Sequence, residues 1–320
     1  MGHKELEDEN LSRVDKFRKN EAEEDFLEGL NDYLAAREKE FERPEGPGYP
    51  NLFIFGPPRS GTTMLAQLLI HCLDVGYIDN LIARFWKAPL QGIRLSRLLL
   101  SGRDRTSFES EYGVTSRLND SHEFGYFWGP YLNDGLHLKE YDRVPWDELQ
   151  YRLRQIAYAF EKPVVYKNVL VGMHLKGMFE ICRNSLFIRT ERDPLDNALS
   201  VLKGREERFG DRNHWWSTRP PGYEKWLHLS YYEQIARQVT RINELHKAAV
   251  TENNIPAITV HYSELCENPG KIVSVVEERL KLAGFPVKPL NPPPPRFKYS
   301  TYTAGMDYRP MKEALEKISG

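Results

Sequence analysis

The sequence predicts an α/β domain built on a mostly parallel central sheet flanked by helices. Three observations predict it. Four short apolar runs, at 51–55, 163–166, 185–189 and 257–261, have the length of buried strands. Helical patterns follow several of them, and strands alternating with helices call for parallel crossover connections. One strand-to-helix junction carries a loop bracketed by Gly56 and Gly61.

The first 50 residues stand apart from the rest. They hold 8 Lys and Arg against 15 Asp and Glu. Within this acidic leader, Phe26, Leu27, Leu30, Tyr33 and Leu34 fall on a helical stripe. The stripe can dock on the body or on a second copy, so a homodimer is one expectation. The Pro- and Gly-rich stretch 43–50 breaks the helix and reads as a linker. Residues 51–320 then form the α/β domain.

After the first strand, Thr62 opens a helix whose apolar face holds Met64, Leu65, Leu68, Leu69 and Cys72. The second strand is preceded by a helix with Leu149, Leu153, Ile156, Ala157 and Phe160 on one side. Asp193 and Pro194 read as the N-cap and first position of a helix after the third strand. Ser230 and Glu233 form a capping-box pattern. Asn268-Pro269 opens a further helix, which Gly284 closes, and Pro292–Pro295 reads as a rigid surface turn.

Composition narrows the class. The chain has 320 residues, 40% hydrophobic and 28% charged, which is ordinary for a globular enzyme. That length buries a core without disulfides or a structural metal. No apolar run approaches the roughly 20 residues of a membrane span. The first thirty residues lack an apolar signal region, so the cytoplasm is the expected location. Cys72, Cys182 and Cys266 are far apart, which gives neither a zinc pattern nor a disulfide framework. Net charge is −2 overall, so outside the leader the balance is mildly basic, which suits a small anionic ligand. Nothing points to nucleic acid.

The loop Gly56-Pro57-Pro58-Arg59-Ser60-Gly61-Thr62-Thr63 is the strongest signal. Between a strand and a helix, such a loop aims backbone N–H groups and a helix N-terminus at an anion. The spacing is that of a phosphate loop, and it implies a P-loop NTPase-like three-layer domain. One substitution matters. A nucleoside triphosphatase places Lys before the metal-binding hydroxyl. Here Thr62 stands at that position, and the cation, Arg59, has moved into the loop.

Pro58-Arg59-Ser60-Gly61-Thr62-Thr63 resembles the 5′-phosphosulfate loop of sulfotransferases that use 3′-phosphoadenosine 5′-phosphosulfate (PAPS). The Arg-containing form is similar to that of bacterial and tyrosylprotein sulfotransferases. The run from Leu186 to Ser200 resembles the family's 3′-phosphate segment, in which an Arg-Asp-Pro follows a strand and a Ser follows the Arg by eight residues. Arg192 and Ser200 match it. Val260 to Pro269, with Tyr262, resembles the family's next strand and helix start. The likeness covers about residues 51–290 and is weak between 75 and 160. It implies sulfuryl transfer from PAPS, with 3′-phosphoadenosine 5′-phosphate (PAP) as product and no metal. It assigns the donor site to Arg59, Ser60, Gly61, Thr62, Thr63, Arg192, Ser200 and Tyr262.

Sulfuryl transfer needs a base for the acceptor hydroxyl or amine, and cations for the charge that develops on the departing oxygen. Arg59 is the first candidate cation. Lys167, where the family has a Lys after its strand, is the second. Small-molecule sulfotransferases carry a His two residues later; Val169 stands there instead. Three groups compete as base: Glu123, then His122, then Asp79.

The acceptor is less legible. Two segments, 125–131 and 214–226, read as aromatic loops that suit a sugar ring, a phenol or a lipid, or that pack a lid. A carbohydrate acceptor is the reading taken. The basic residues Lys203, Arg205 and Arg208 serve donor, acceptor or surface. Two other functions fit less of the sequence: a kinase with a degenerate phosphate loop, and a nucleotide-binding protein without catalysis.

Overall fold

The computed structural model describes residues 9–38 and 48–319. The linker expected at 43–50 lies outside them up to residue 47. The strands are β1 (Asn51–Phe55), β2 (Gly76–Tyr77), β3 (Asn133–Asp134), β4 (His137–Leu138), β5 (Val164–Lys167), β6 (Leu186–Glu191) and β7 (Ile258–His261). Helices α1 (Glu21–Glu38), α2 (Thr62–Cys72), α3 (Pro89–Leu100) and α4 (Gly125–Leu132) come first. They are followed by α5 (Trp146–Phe160), α6 (Val169–Met173), α7 (Leu175–Ile181) and α8 (Pro194–Phe209). The last are α9 (Tyr231–Glu252), α10 (Tyr262–Glu267), α11 (Pro269–Leu282) and α12 (Tyr308–Ser319).

The main sheet runs in the order β2-β5-β1-β6-β7, with every pairing parallel. All of β1 is buried, which is what a strand covered on both faces requires. Its alternating side chains feed two cores. Phe53 and Phe55 join Trp128, Tyr166 and Phe187 on one face. Leu52 and Ile54 join Leu65, Leu68 and Leu69 of α2 on the other. Each such side chain contributes roughly 1.5–3 kcal/mol relative to exposure. The result is three layers, as expected.

The chain leaves β1 toward β2 on one side and later reaches β6 on the other, so β1 sits at the topological switch where open α/β sheets bind ligands. The register places Lys167 beside Ile54, and Arg189 beside Phe55. The carboxyl ends of β5, β1 and β6 therefore open onto one crevice.

The predicted caps are present. Asp193 accepts from the N–H groups of Leu195 and Asp196, Ser230 and Glu233 close a capping box, and Asn268 accepts from Lys271 N–H. The leader helix differs from expectation. Its apolar stripe docks only in part: Leu27 packs against the core and Leu30 and Leu34 are half-buried, while Phe26 and Tyr33 are 69% and 71% exposed. The other anchors are polar. Asn31 is fully buried and donates to Arg84 O at 2.8 Å, while its Oδ1 accepts from Lys87 N–H at 2.9 Å. Glu38 accepts from Leu90 N–H at 2.6 Å. Loose backbone groups around α3 thus find partners on α1, which sits on this body.

Candidate active site

The loop after β1 is held by contacts that only these residues allow. A methyl group at Gly56 would lie 2.2 Å from Thr190 Oγ1 and 2.8 Å from the Thr190 carbonyl oxygen. Buried Ser60 donates to Pro57 O at 2.7 Å and shares a 2.6 Å hydrogen bond with Thr190 Oγ1. Asn197 of α8 donates to Pro58 O at 2.6 Å. Arg59 takes φ 69° and Gly61 φ 101°; left-handed backbone at a non-glycine costs roughly 1 kcal/mol, a local strain the surrounding contacts hold. Gly61 caps α2 without a side-chain acceptor. The N–H groups around Thr62 and Thr63 keep their capacity to bind an anion.

Two arginines meet at this loop. Arg59 Nε donates to Ser200 Oγ at 3.2 Å, and Arg192 Nη1 donates to the Arg59 carbonyl oxygen at 3.1 Å. Arg192 also donates to Ser300 O, and it lies 4.5 Å from the Tyr262 ring centre. Its Nε is buried without a hydrogen-bond partner. Burial and the Arg192 charge lower the pKa of Arg59. Neither arginine has a carboxylate partner among the described residues. Two guanidinium groups thus meet at the loop that leads into the N-terminus of α2.

Lys167 lies beneath them, 3% exposed. Its Nζ donates to Thr63 Oγ1 and Gly113 O, both at 2.9 Å, and faces Glu123 Oε1 at 3.4 Å. Burial lowers its pKa, partly offset by Glu123. The segment carrying Glu123 is zipped to the end of β2: Asp79 bridges Ser121, and His122 N–H donates to Ile78 O at 2.8 Å.

The other two base candidates are engaged differently. His122 Nδ1 accepts from Phe124 N–H at 2.8 Å. The residue is exposed to solvent at its surface, although protein atoms and cations crowd the ring. Lost hydration and the charges of Lys167, Lys19 and Arg84 push its pKa to about 3. A neutral imidazole with Nδ1 occupied carries its proton on Nε2, so it donates rather than accepts. Asp79 is 3% exposed; one oxygen accepts from Ile82 N–H at 2.7 Å and the other from Ser96 Oγ. Burial raises its pKa to about 6. It caps a turn, away from the open cleft.

A model of the sulfotransferase family matches residues 50–286. The chain belongs to this family. Solved structures with a similar chain trace include sulfotransferase STF1 from Mycobacterium tuberculosis H37Rv, at 16% identity and a TM-score of 0.45, covering 93% of this chain and 80% of that one. Sulfotransferase STF9 from Mycobacterium avium is similar at 12% identity and a TM-score of 0.42, covering 74% of this chain. The sulfotransferase domain from the curacin biosynthetic pathway is similar at 14% identity and a TM-score of 0.42, covering 73% and 75%. This chain spans 64% of the length of the M. avium protein, less than two thirds. No curated protein sequence matches it.

In this family member hydrogen bonds join Arg59 to Ser200 and Arg192, and Lys167 to Thr63 and Glu123, at the loop that holds Ser60, Gly61 and Thr62; His122 adjoins Glu123 in the chain. Tyr262 packs against Gly61, where a methyl would lie 2.7 Å from its ring. Arg192 makes no ion pair with Asp196, whose carboxylate instead accepts from Tyr302 N–H at 2.7 Å and Thr301 Oγ1 at 3.0 Å.

The aromatic segments need correction. Residues 125–131 belong to α4 rather than a loop, and Phe127 and Trp128 are 3% and 0% exposed in the core. Trp215 and Tyr223 are buried as well. These rings fill space, and the sugar-ring argument loses half of its carriers, leaving Tyr126, Tyr131, Trp216 and Trp226. Arg205 also leaves the ligand set: it is fully buried and donates to Gln234 Oε1 and Gln238 Oε1 at 3.0 and 3.3 Å.

Sequence reasoning missed Thr190, Asn197 and Tyr112. The first two stand inside the 3′-phosphate segment, and their polar character at a strand end and helix start was the available signal. Tyr112, whose ring centre lies 5.0 Å from the Arg59 guanidinium, comes from a loop without pattern.

Proposed function

We propose that this protein transfers a sulfuryl group from PAPS to an acceptor hydroxyl or amine, a carbohydrate being the acceptor class retained from the sequence reading. The observation that carries the proposal is the pair of guanidinium groups, Arg59 and Arg192, joined at the phosphate loop near a buried Lys167 and without a carboxylate partner among the described residues. The unpartnered Nε of Arg192 and the close-packed Gly56 and Gly61 fit a phosphate-bearing donor. When bound, that donor supplies an activated sulfuryl group; the protein supplies position and charge.

Arg192 and Ser200 hold the 3′-phosphate. The loop N–H groups and Arg59 hold the 5′ side. Glu123 takes the acceptor proton, since its side chain is 44% exposed and opens onto the cleft. A proton on Glu123 removes the charge that Lys167 faces at 3.4 Å. Lys167 is then released to stabilise the oxygen that departs. His122 Nε2 donates to the acceptor and orients it.

Calorimetric titration with PAP in chelator, beside ATP with magnesium, tests the donor. Preferential binding of PAP, weakened at least tenfold by Arg192→Ala, is the expected result. Preference for magnesium-ATP overturns the proposal in favour of a kinase.

A further inference from the structure

The rim of the cleft is built by the leader. Val14 N–H donates to Arg208 O at 3.0 Å, which ties this segment to the end of α8. The Phe17 ring then lies between two groups: the Arg208 guanidinium, 5.1 Å from its centre, and the Tyr112 ring, 6.4 Å away and edge-on. Tyr112 in turn faces Arg59. A chain of contacts therefore runs from Arg59 of the phosphate loop through two edge-on rings, Tyr112 and Phe17, to Arg208. Lys19 stands beside it, 3.9 Å from the centre of the Tyr126 ring in the first turn of α4. Helix α8 spans the same distance: Ser200 touches Arg59 at one end, and Arg208 follows eight residues later, about 12 Å along the axis.

The charges at this rim are nearly all matched. Arg13 pairs with Glu9 at 3.1 Å, Lys16 with Glu111 at 2.5 Å, Lys19 with Glu24 at 3.1 Å, and Lys203 with Glu207 at 3.5 Å. Arg208 has no carboxylate within 4 Å among the described residues; Glu9 and Glu123 act on it only from farther off. It is half-buried against an aromatic face. A partly desolvated guanidinium without a counter-ion is costly to hold, and an anion from outside relieves it. Burial, with Arg13 adding repulsion, lowers the pKa of both Lys19 and Arg208. The two cations are near enough for the Arg208 charge to act on Lys19, so one anion can answer both.

We propose that Arg208, with Lys19 beside it, is a specificity-determining anchor for an anionic group, a carboxylate or a sulfate ester, carried by the acceptor. The planar guanidinium can hold either group through two parallel N–H donors. The leader then forms a wall of the acceptor site. This inference rests on the sulfuryl-transfer reading of the cleft.

The test uses the full chain saturated with PAP, so that the donor site is filled. It is titrated with methyl β-D-glucuronide, with methyl β-D-glucoside 6-sulfate, and with neutral methyl β-D-glucoside, followed by nuclear magnetic resonance shifts. At least one anionic glycoside binds tenfold or more tightly than the neutral one, and the better of the two names the group. Arg208→Gln brings the preference within twofold while PAP affinity stays within twofold of the parent. Arg208→Lys, which keeps the charge, retains at least a threefold preference. Equal affinities, no binding of either anion, or a preference that survives Arg208→Gln overturns the inference. Failure of the unaltered protein to bind PAP overturns the transferase reading instead, and is seen before any glycoside is added.

Discussion

Lys167 and Glu123 face each other at 3.4 Å, yet the lysine side chain is 2% exposed and the glutamate 44%. The pair therefore joins a fixed interior charge to one that reaches the cleft. Lys167 does not depend on Glu123 for its place, because Thr63 Oγ1 and Gly113 O each accept from it at 2.9 Å. Glu123→Gln should leave the fold and PAP affinity intact while lowering kcat by about 10²–10⁴. Lys167→Met should also lower kcat. If the two act as a unit, the double variant falls little below the worse single one. Full additivity in steady-state kinetics would separate their roles.

Gly56 gives a second prediction, at the level of backbone packing. A methyl there meets both the Thr190 hydroxyl and, at 2.8 Å, the Thr190 carbonyl oxygen. A side chain can turn away, but a backbone oxygen in a central strand cannot. Gly56→Ala should cost about 1–3 kcal/mol of stability through overpacking and weaken PAP binding at least tenfold. Adding Thr190→Ala should not restore either quantity, because the carbonyl remains. Denaturant titration and calorimetry of the single and double variants check this.

Four of the five strands of the main sheet and the helix caps were legible because each is written locally; β2, two residues long, and the β3–β4 pair carry no such run and were not expected. Asn51–Phe55 is a continuous apolar run, and Asp193-Pro194 and Ser230/Glu233 are short signals with one structural solution. The juxtaposition of Arg59 with Arg192 and Ser200 was legible for a similar reason, since Arg59 to Thr63 and Arg192 to Ser200 each lie within a single strand–loop–helix unit. The segment carrying Glu123 was readable only as a list of candidates. Its position is set by the Asp79–Ser121 bridge, a contact between segments about 40 residues apart with no periodicity to announce it. Aromatic residues misled because Trp128 and Trp215 look alike in sequence whether they face a ligand or a core. The leader misled in the opposite direction: its stripe is exposed at Phe26 and Tyr33, while buried Asn31 and Glu38 share the anchoring with Leu27.

That asparagine can be tested against the stripe. Asn31→Ala leaves Arg84 O and Lys87 N–H without their partner beneath α1. Buried backbone groups left unpaired cost about 1–3 kcal/mol, enough to loosen the helix from the body. The expected outcome is faster proteolytic cleavage within 21–38 and a lower denaturation midpoint. Replacing both Phe26 and Tyr33 by Ser should change neither. The reverse pattern would return the docking role to the apolar stripe.

The last prediction concerns acid. His246 is fully buried, its ring edge-on to Phe55 at 5.2 Å, and neither ring nitrogen has a hydrogen-bond partner. Burial, with a smaller effect of Arg189, pushes its pKa down to about 3 from 6.5. The folded state therefore stays neutral where the unfolded chain takes up a proton. Below pH 6.5 the unfolded state binds more protons, so this stability is complete above that pH and is lost progressively toward pH 3. One proton gives a slope of about 1.4 kcal/mol per pH unit. His122 acts in the same direction, whereas Asp79, whose pKa is raised to about 6 from 3.8, favours the folded state as pH falls from 6 to 4. A difference measurement removes both. His246→Leu deletes no hydrogen bond, so its stability relative to the parent should improve steadily between pH 6.5 and 4 in denaturant titrations. A difference that does not change with pH would mean that His246 is protonated in the folded protein.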